Sequence, residues 1–272
     1  MIAFPNCKIN LGLHVLRKRE DGYHDLETCF LPVKLQDAAE IVPSQDVTHF
    51  TATGTFSGND ADNLCLKAYH LLKADFPQIT AISMHLHKVI PAGAGLGGGS
   101  ADAACTLQLL NKIFELKISL EQLSVYALQL GSDCPFFLIN KTSVATGRGE
   151  ILKEINVPLK DYRIALVNPG IHISTGIAFK NIRPAIPGKA IRQIINQPIE
   201  TWRDELKNDF EKFVFERYPL VKKIKEDLYH DGALYASMSG SGSTVYGIFE
   251  KNKDINYKPQ SNFYYKIVQP IL

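Results

Sequence analysis

The sequence has little that would place it outside ordinary globular proteins. Its five cysteines are scattered, and none of them forms a Cys-x-x-Cys unit. An odd, dispersed set of thiols is typical of a reducing compartment, so we expect a cytoplasmic protein with free cysteines. The first residues lack a basic region followed by an apolar one, so no secretory signal is predicted. No run approaches the roughly 18 apolar residues of a membrane span, so we expect no membrane partner.

An excess of charge of either sign is also missing. Lysine and arginine number 30 and aspartate and glutamate 28, which leaves a net charge of +2. This balance argues against a nucleic-acid binder that works by bulk charge, so we expect no nucleic-acid partner. The 272 residues, 45% of them hydrophobic, are enough for one large domain or two moderate ones.

Hydrophobic periodicity predicts strands and helices in both halves. Ile9, Leu11, Leu13 and Val15 alternate with polar or small residues, as in a strand with one apolar face. Residues 81–89 are predicted to form a strand, and Asp62 is predicted to cap a helix over 63–76. Ser119 and Gln122 form a capping-box pattern, and further helices are predicted over 189–196, 202–218 and 220–229. This mixture indicates an α+β protein of two fused lobes.

A glycine-rich turn between the strand and a helix beginning near Ser100 is the strongest signal in the chain. Five of the seven residues at positions 93–99 are glycine. Glycines let the backbone approach a phosphate closely, and the N–H groups at the helix start point toward it. A flexible surface turn is disfavoured because so many glycines carry an entropic cost.

Two other nucleotide-binding patterns fit less well. Gly93, Gly95 and Gly98 satisfy the dinucleotide spacing, but Glu115, at the distance of the expected acidic residue, ends a helix rather than a strand. A phosphate-binding P-loop would need a lysine where Gly99 stands. A dinucleotide-dependent oxidoreductase and a non-catalytic nucleotide-binding protein remain as alternatives.

Phosphoryl transfer also needs positive charge and a group that orients the accepting hydroxyl. Lys8 lies on the polar face of the first long strand, where it could also be simply exposed. Asp133 precedes a near-apolar run, where it could also be a helix N-cap. A second glycine turn, over 238–244, could bind an oxyanion or simply connect two strands.

Three motifs in this order resemble those of the GHMP kinase superfamily. They are the lysine strand that starts at Lys8, the Pro-x-Gly-x-Gly-Leu-Gly-Gly-Gly-Ser loop over 91–100, and the Gly-x-Gly turn near Gly240. The turn Arg19-Glu-Asp-Gly-Tyr-His24 and the segment Gly131-Ser-Asp-Cys-Pro-Phe-Phe137 resemble the branch that phosphorylates a cytidine diphosphate-linked methylerythritol. Ala101 and Ser243 depart from that branch, in which Ser and Pro are common at these two positions.

The resemblance implies a two-lobed GHMP kinase fold. The N-terminal lobe, 1–158, would hold a mixed sheet with helices, and the C-terminal lobe, 159–272, an antiparallel sheet with helices. ATP would be the co-substrate, with Mg²⁺ expected and Ser100 the candidate protein ligand. The chain would be a monomer or a weak homodimer. A sister GHMP kinase with another acceptor alcohol, such as homoserine or a mevalonate derivative, is the nearest alternative.

The resemblance also implies residue roles. The general base would be Asp133, stabilised by Lys8. The residues expected to bind ATP are Asn63, Leu64, Lys88, Pro91, Ala92, Gly93, Ala94, Gly95, Leu96, Gly97, Gly98, Gly99, Ser100 and Ala101. Those expected to bind the acceptor are Asn10, Tyr23, His24, Thr175, Phe179, Gly240, Ser241 and Gly242. Tyr23 and Phe179 would stack on the cytosine, and the His24 backbone would contact its edge.

Overall fold

A computed structural model of the chain describes residues 1–55 and 63–272. Two compact units follow from it, and each is made of segments that are separate in sequence. The first comprises Met1–Cys7, Leu35–Ala92 and Gly97–Asn140, and the second comprises Lys8–Lys34, Gly93–Leu96 and Lys141–Leu272. The chain therefore passes from one unit to the other inside the glycine-rich loop. The predicted lobe boundary after residue 158 stays a prediction.

The first unit has a four-stranded sheet in the order β1-β4-β6-β5. Its strands are β1 (Ile2–Ala3), β4 (Ala38–Ser44), β5 (His49–Gly54) and β6 (Ala81–Lys88). β6 pairs antiparallel with β4 and parallel with β5, so the sheet is mixed. Ile82, Met84 and Leu86 of β6 are buried and the residues between them are more exposed, as the period-two pattern predicted.

Four helices belong to the same unit: α1 (Leu64–Asp75), α2 (Gly98–Ile113), α3 (Leu120–Leu130) and α4 (Cys134–Ile139). The Asn63 side chain accepts a hydrogen bond from Cys65 N at 2.8 Å and so caps α1. The N-cap predicted at Asp62 lies outside the described residues. The predicted capping box of α3 is confirmed, because Ser119 and Gln122 make both reciprocal side-chain bonds.

The second unit holds two further sheets. One has the order β2-β3-β7-β8, and its strands are β2 (Asn6–Lys18), β3 (His24–Gln36), β7 (Ser143–Thr146) and β8 (Ile151–Glu154). The other has the order β10-β11-β9-β12, from β9 (Tyr162–Asn168), β10 (Tyr235–Met238), β11 (Val245–Glu250) and β12 (Tyr264–Val268). All pairings in this second sheet are antiparallel. Sequence analysis assigned no structure to the segment that forms β12.

Five helices complete this unit within the described residues. They are α5 (Thr175–Lys180), α6 (Ile191–Ile195), α7 (Ile199–Glu205), α8 (Phe210–Arg217) and α9 (Pro219–His230). In no helix of the described part of the chain is there an apolar stretch long enough to traverse a bilayer.

The prediction of one helix over 202–218 is wrong, because the helix is interrupted between the end of α7 and the start of α8. Leu13 N donates to the Lys207 carbonyl, and Asp209 N donates to the Leu13 carbonyl, both at 2.9 Å. The Asn208 amide donates to the carbonyls of Met238 and Gly240 at 2.7 and 2.9 Å. The backbone at 207–209 thus bonds to β2, and the Asn208 side chain bonds to the carbonyls of Met238 and Gly240, so no helix continues here.

Candidate active site

In the second unit, the middle of the glycine loop packs against the second glycine turn. Thr244 N donates to the Ala94 carbonyl at 3.2 Å, and Ser239 Oγ donates to the Gly95 carbonyl at 2.7 Å. Gly95 has φ +77°, and a Cβ there would lie 2.1 Å from the Ser239 carbonyl oxygen. Glycine is therefore required at this position by both conformation and space. The two glycine turns that the sequence showed separately are neighbours.

In the first unit, the end of the same loop becomes the start of α2. Gly97 is the N-cap, with φ +71°, and among the described residues no side chain caps this helix start. A Cβ on Gly98 would lie 2.8 Å from the Ile90 side chain, so that glycine permits close packing of helix and strand. Leu64 approaches Gly99, since a Cβ there would lie 3.7 Å from Leu64 Cδ1. Backbone N–H groups at an uncapped helix start are suited to bind a phosphate.

A buried ion-pair cluster connects β6 to Asp102 of α2. Lys88 Nζ contacts carboxylate oxygens of Asp37 and Asp102, the latter at 2.6 Å. Asp37 also accepts hydrogen bonds from the backbone N–H groups of Val89 and Ile90, at 2.6 and 2.8 Å. These bonds hold the chain just before the glycine loop. Sequence analysis missed Asp37 and Asp102, and nothing in their local pattern marks them as partners of a distant lysine.

The electrostatics of this cluster follow from its burial. Desolvation acts to lower the pKa of Lys88, but the carboxylates of Asp102 and Asp37 outweigh it, so the pKa is raised. Burial raises the pKa of Asp102 to about 7, with Lys88 opposing part of this shift. Lys88 is 5% exposed. Its predicted contact with a nucleoside stays a prediction, and its observed bonds are to carboxylates.

Lys8 lies on β2 in the second unit and is buried, with 3% of its surface exposed. Its ammonium donates to Asn10 Oδ1 at 2.5 Å and lies 4.9 Å from the centre of the Phe30 ring. Its backbone N–H donates to the Leu96 carbonyl at 3.0 Å. The alternative of an exposed strand lysine is therefore wrong. A buried lysine whose backbone bonds to the glycine loop is suited to stabilise negative charge.

Asn10 lies at the centre of a second set of contacts. Its backbone N–H donates to Ser239 Oγ at 3.2 Å, and its carbonyl accepts from the Tyr246 hydroxyl at 2.7 Å. Its side-chain Nδ2 donates to Thr28 Oγ1 at 2.9 Å. Thr28, Ser239 and Tyr246 were missed as site residues, because only the packing of segments distant in sequence brings them to Asn10.

Asp133 belongs to the first unit and stands at the N-cap position of α4, but its side chain does not cap that helix. The alternative of a structural N-cap therefore holds for the position of Asp133 but not for a capping hydrogen bond from its side chain. Its neighbour Cys134 is buried, which raises the pKa of that thiol to about 12, although a hydrogen bond with the Ser100 side chain opposes the shift. Ser100 at the start of α2 thus lies beside the segment that carries Asp133. The predicted pairing of Asp133 with Lys8, which belongs to the second unit, stays a prediction.

The predicted acceptor-binding residues of the second unit form two groups. The rings of His24 and Phe179 stack with their centres 5.0 Å apart and 22° between their planes. Thr175 and Ser241 share a hydrogen bond of 3.1 Å between their hydroxyls. Gly240 and Gly242 are beside Ser241 and have φ of +57° and +95°, a backbone that favours glycine.

Tyr23 was predicted to face Phe179 across a cytosine, and its observed partner is an arginine. The Arg148 guanidinium lies 4.4 Å from the centre of the Tyr23 ring. Tyr23 is 53% exposed. An exposed ring backed by a cation is a ready stacking surface for a planar base. The sandwich of a cytosine by Tyr23 and Phe179 stays a prediction.

Comparisons with known proteins show the family of this chain. The model of the GHMP kinase N-terminal domain matches residues 63–141, and that of the C-terminal domain matches 190–256. A 4-diphosphocytidyl-2-C-methyl-D-erythritol kinase of Bacteroides thetaiotaomicron is 50% identical over 254 residues, 92% of each chain. That of Cytophaga hutchinsonii is 48% identical over 96% of this chain and 97% of its own. The chain belongs to the 4-diphosphocytidyl-2-C-methyl-D-erythritol kinase family.

Solved structures extend the comparison. A crystal structure of a 4-(cytidine 5'-diphospho)-2C-methyl-D-erythritol kinase is 32% identical, covers 91% of this chain and 89% of its own, and superposes with a TM-score of 0.77. The mevalonate kinase of Methanococcus jannaschii shares only the fold, with 13% identity, coverage of 100% and 98%, and a TM-score of 0.67. The predicted α+β, two-lobed GHMP kinase fold is confirmed. As a member of this kinase family, the protein is an enzyme that acts on a small molecule, and ATP is the implied co-substrate.

The residues present also fit the expected magnesium ion. Mg²⁺ keeps several waters and takes one or two protein oxygens together with substrate phosphates. The Ser100 hydroxyl, at the start of α2, can supply one such oxygen. Within residues 1–55 and 63–272, no three His, Cys, Asp or Glu side chains gather into a metal-binding group. His85 and His87 of β6 both contact Thr53 Oγ1, at 3.0 and 2.9 Å.

Proposed function

We propose that the protein transfers the γ-phosphate of ATP to the 2-hydroxyl of 4-diphosphocytidyl-2-C-methyl-D-erythritol, a step of the non-mevalonate isoprenoid pathway. The observation that carries this proposal is the identity of about half of the residues, over nearly the full length, to relatives of that name. The buried lysine beside the glycine loop and the uncapped start of α2 support phosphoryl transfer. We also propose the division into an N-terminal lobe, 1–158, and a C-terminal lobe, 159–272.

In the proposed reaction, backbone N–H groups of the loop over 91–101 bind the phosphates of ATP. Asp133 accepts the proton of the 2-hydroxyl as that oxygen attacks the γ-phosphorus. The bond from the γ-phosphorus to the β–γ bridging oxygen breaks, so ADP leaves and the 2-phosphate forms. Lys8 keeps Asp133 ionised and orients the hydroxyl. Ser100 would help to hold Mg²⁺, which would supply neutralisation of the negative charge on the phosphates.

Recognition of the acceptor is proposed to use its cytosine. The exposed face of Tyr23 and the ring of Phe179 would stack on the base, and the backbone of His24 would bind its edge. Asn10 and Thr175, with the turn residues Gly240, Ser241 and Gly242, would hold the diphosphate or the methylerythritol. Asn63, Leu64 and Lys88 would border the adenosine.

The decisive test replaces Asp133 by Asn, which keeps the size of the side chain and removes its basicity. We expect ADP release to fall to background while the Kd for ATP stays within about threefold, since the loop that binds phosphate is unchanged. Asp46→Asn makes the same chemical change at an exposed residue and should leave turnover unchanged. Turnover retained by the Asp133→Asn protein would remove this residue from its proposed role.

A panel of acceptors tests the substrate. The cytidine diphosphate alcohol should support ADP release, whereas homoserine and mevalonate should not, because neither carries a base to stack on Tyr23. If homoserine or mevalonate alone supports release, the protein is a sister GHMP kinase. If no acceptor does and ATP still binds, it is a non-catalytic nucleotide-binding homologue.

A further inference from the structure

Thr28 lies on β3 beneath the contact between Lys8 and Asn10. It is buried, with 1% of its surface exposed. Its hydroxyl donates to the Gly12 carbonyl at 2.6 Å and meets Asn10 Nδ2 at 2.9 Å. All four residues belong to the second unit.

The chemistry of these groups permits one arrangement of protons. A threonine hydroxyl has a single proton, and a backbone carbonyl can only accept, so the proton of Thr28 is directed to Gly12. The Thr28 oxygen can then only accept a hydrogen bond from Asn10. The end of the Asn10 amide that faces Thr28 must therefore be the nitrogen, Nδ2. The other end of the amide, Oδ1, is thereby turned to Lys8.

The ammonium of Lys8 imposes a matching requirement. An ammonium has three donors and no acceptor, so its partner on Asn10 has to be the oxygen. That oxygen lies 2.5 Å from Lys8 Nζ. The contacts at the two ends of the Asn10 amide therefore agree, and each of them fixes the same orientation.

We propose that Thr28 is a positioning residue for phosphoryl transfer, which holds the Asn10 amide so that its oxygen orients the ammonium of Lys8. This inference rests on the role given to Lys8 under the proposed function. Without the Thr28 hydroxyl, the buried amide nitrogen of Asn10 loses its acceptor, and an unsatisfied buried donor is unfavourable. The amide can then rotate toward another acceptor, and the contact between its oxygen and the Lys8 ammonium is lost.

Three variants separate positioning from packing. Thr28→Val keeps the shape and removes the hydroxyl, and Thr28→Ser keeps the hydroxyl and removes a methyl group. Thr142→Val is the matched control, because Thr142 is also a buried threonine of the second unit and its hydroxyl has no hydrogen-bond partner among the described residues. Each protein is assayed for kcat at saturating ATP and acceptor, for KM of ATP, and for its melting temperature.

We expect Thr28→Val to lower kcat at least about tenfold, since small misplacements of a reacting group have effects of this order. The KM for ATP should stay within about twofold, Thr28→Ser should restore kcat to within about threefold, and Thr142→Val should match the wild type. A kcat within about twofold of the wild type for Thr28→Val, or an equal loss in Thr28→Ser, overturns the proposal.

Two further variants keep the test decisive. If Thr28→Val does not fold, Thr28→Cys keeps the volume with a weaker hydrogen-bonding group, and it should lower kcat at least about threefold. An unchanged kcat in the cysteine variant overturns the proposal. Lys8→Ala separates the two levels of inference. If it retains turnover, the role of Lys8 and with it that of Thr28 are wrong. If it loses turnover and Thr28→Val does not, only the role of Thr28 is wrong.

Discussion

Replacing Gly95 by alanine tests the close packing of the two glycine turns. Gly95 has φ +77°, and an added Cβ would lie 2.1 Å from the carbonyl oxygen and 3.0 Å from the carbonyl carbon of Ser239. The first distance is over 1 Å shorter than an ordinary van der Waals contact, which begins at 3.4 Å. These atoms belong to the backbone, so no side-chain rotation relieves the overlap. The turn has to move.

Gly170 provides the matched control. Its φ is +75°, and a Cβ there would meet no atom within 4 Å. Both substitutions therefore incur the same conformational cost, about 1–2 kcal/mol for an alanine in the left-handed region. Gly95→Ala adds overpacking of about 1–3 kcal/mol and weakens the 2.7 Å hydrogen bond from Ser239, a loss of about 1 kcal/mol. The difference between the two variants should be about 2–4 kcal/mol.

Thermal unfolding followed by circular dichroism measures this difference. At about 2–4 °C per kcal/mol for a chain of this size, Gly95→Ala should melt roughly 4–16 °C below Gly170→Ala. Its turnover should also fall, because the displaced loop includes proposed phosphate-binding residues, whereas Gly170→Ala should keep normal turnover. Equal melting temperatures together with wild-type turnover in Gly95→Ala would refute the packing of these two turns.

Two further predictions concern charged side chains. Arg148→Gln removes the cation behind Tyr23, so the KM for the cytidine alcohol should rise about two- to fivefold with the KM for ATP unchanged, as steady-state kinetics would show. Arg203→Gln, which removes an equivalent contact 4.4 Å from the Tyr229 ring, is the control, and an equal effect of both would contradict the role of Arg148. The pKa of Asp102 is raised by burial to about 7, so the folded state holds a proton there that the unfolded state releases near pH 4. The stabilisation that this proton gives the folded state is full at low pH and is lost as the pH rises toward 7. The melting temperature of Asp102→Asn should therefore rise relative to that of the wild type between pH 5 and 8. If the melting temperatures of the two proteins change in parallel with pH, Asp102 does not titrate in this range.

Local patterns predicted much of the secondary structure. The alternation in β6 and the capping box of α3 depend on residues two or three positions apart, and both are present as expected. The helix predicted over 202–218 shows the limit of such patterns. Its amphipathic signal continues across 206–209, but Asn208 bonds to carbonyls about 30 residues away, and these bonds outweigh the local preference.

The same limit applies to the site. The glycine loop and Lys8 were found from sequence because a run of glycines and a lysine within an apolar strand are unusual by themselves. Asp37, Asp102 and Thr28 have no unusual neighbours, so nothing local distinguishes them from ordinary acidic or polar residues. Their importance comes from partners brought to them by strand pairing and helix packing.

The amino-acid sequence by itself determined the family, the position of the glycine loop and the identity of the candidate lysine and aspartate. These depend on residue types at fixed short spacings, which a linear pattern contains in full. Only the tertiary structure decided that Lys8 is buried, that Lys88 is paired with two carboxylates, and that the Asn10 amide has one orientation. Burial and hydrogen-bond direction depend on atoms contributed by distant segments, and folding alone brings those atoms within reach.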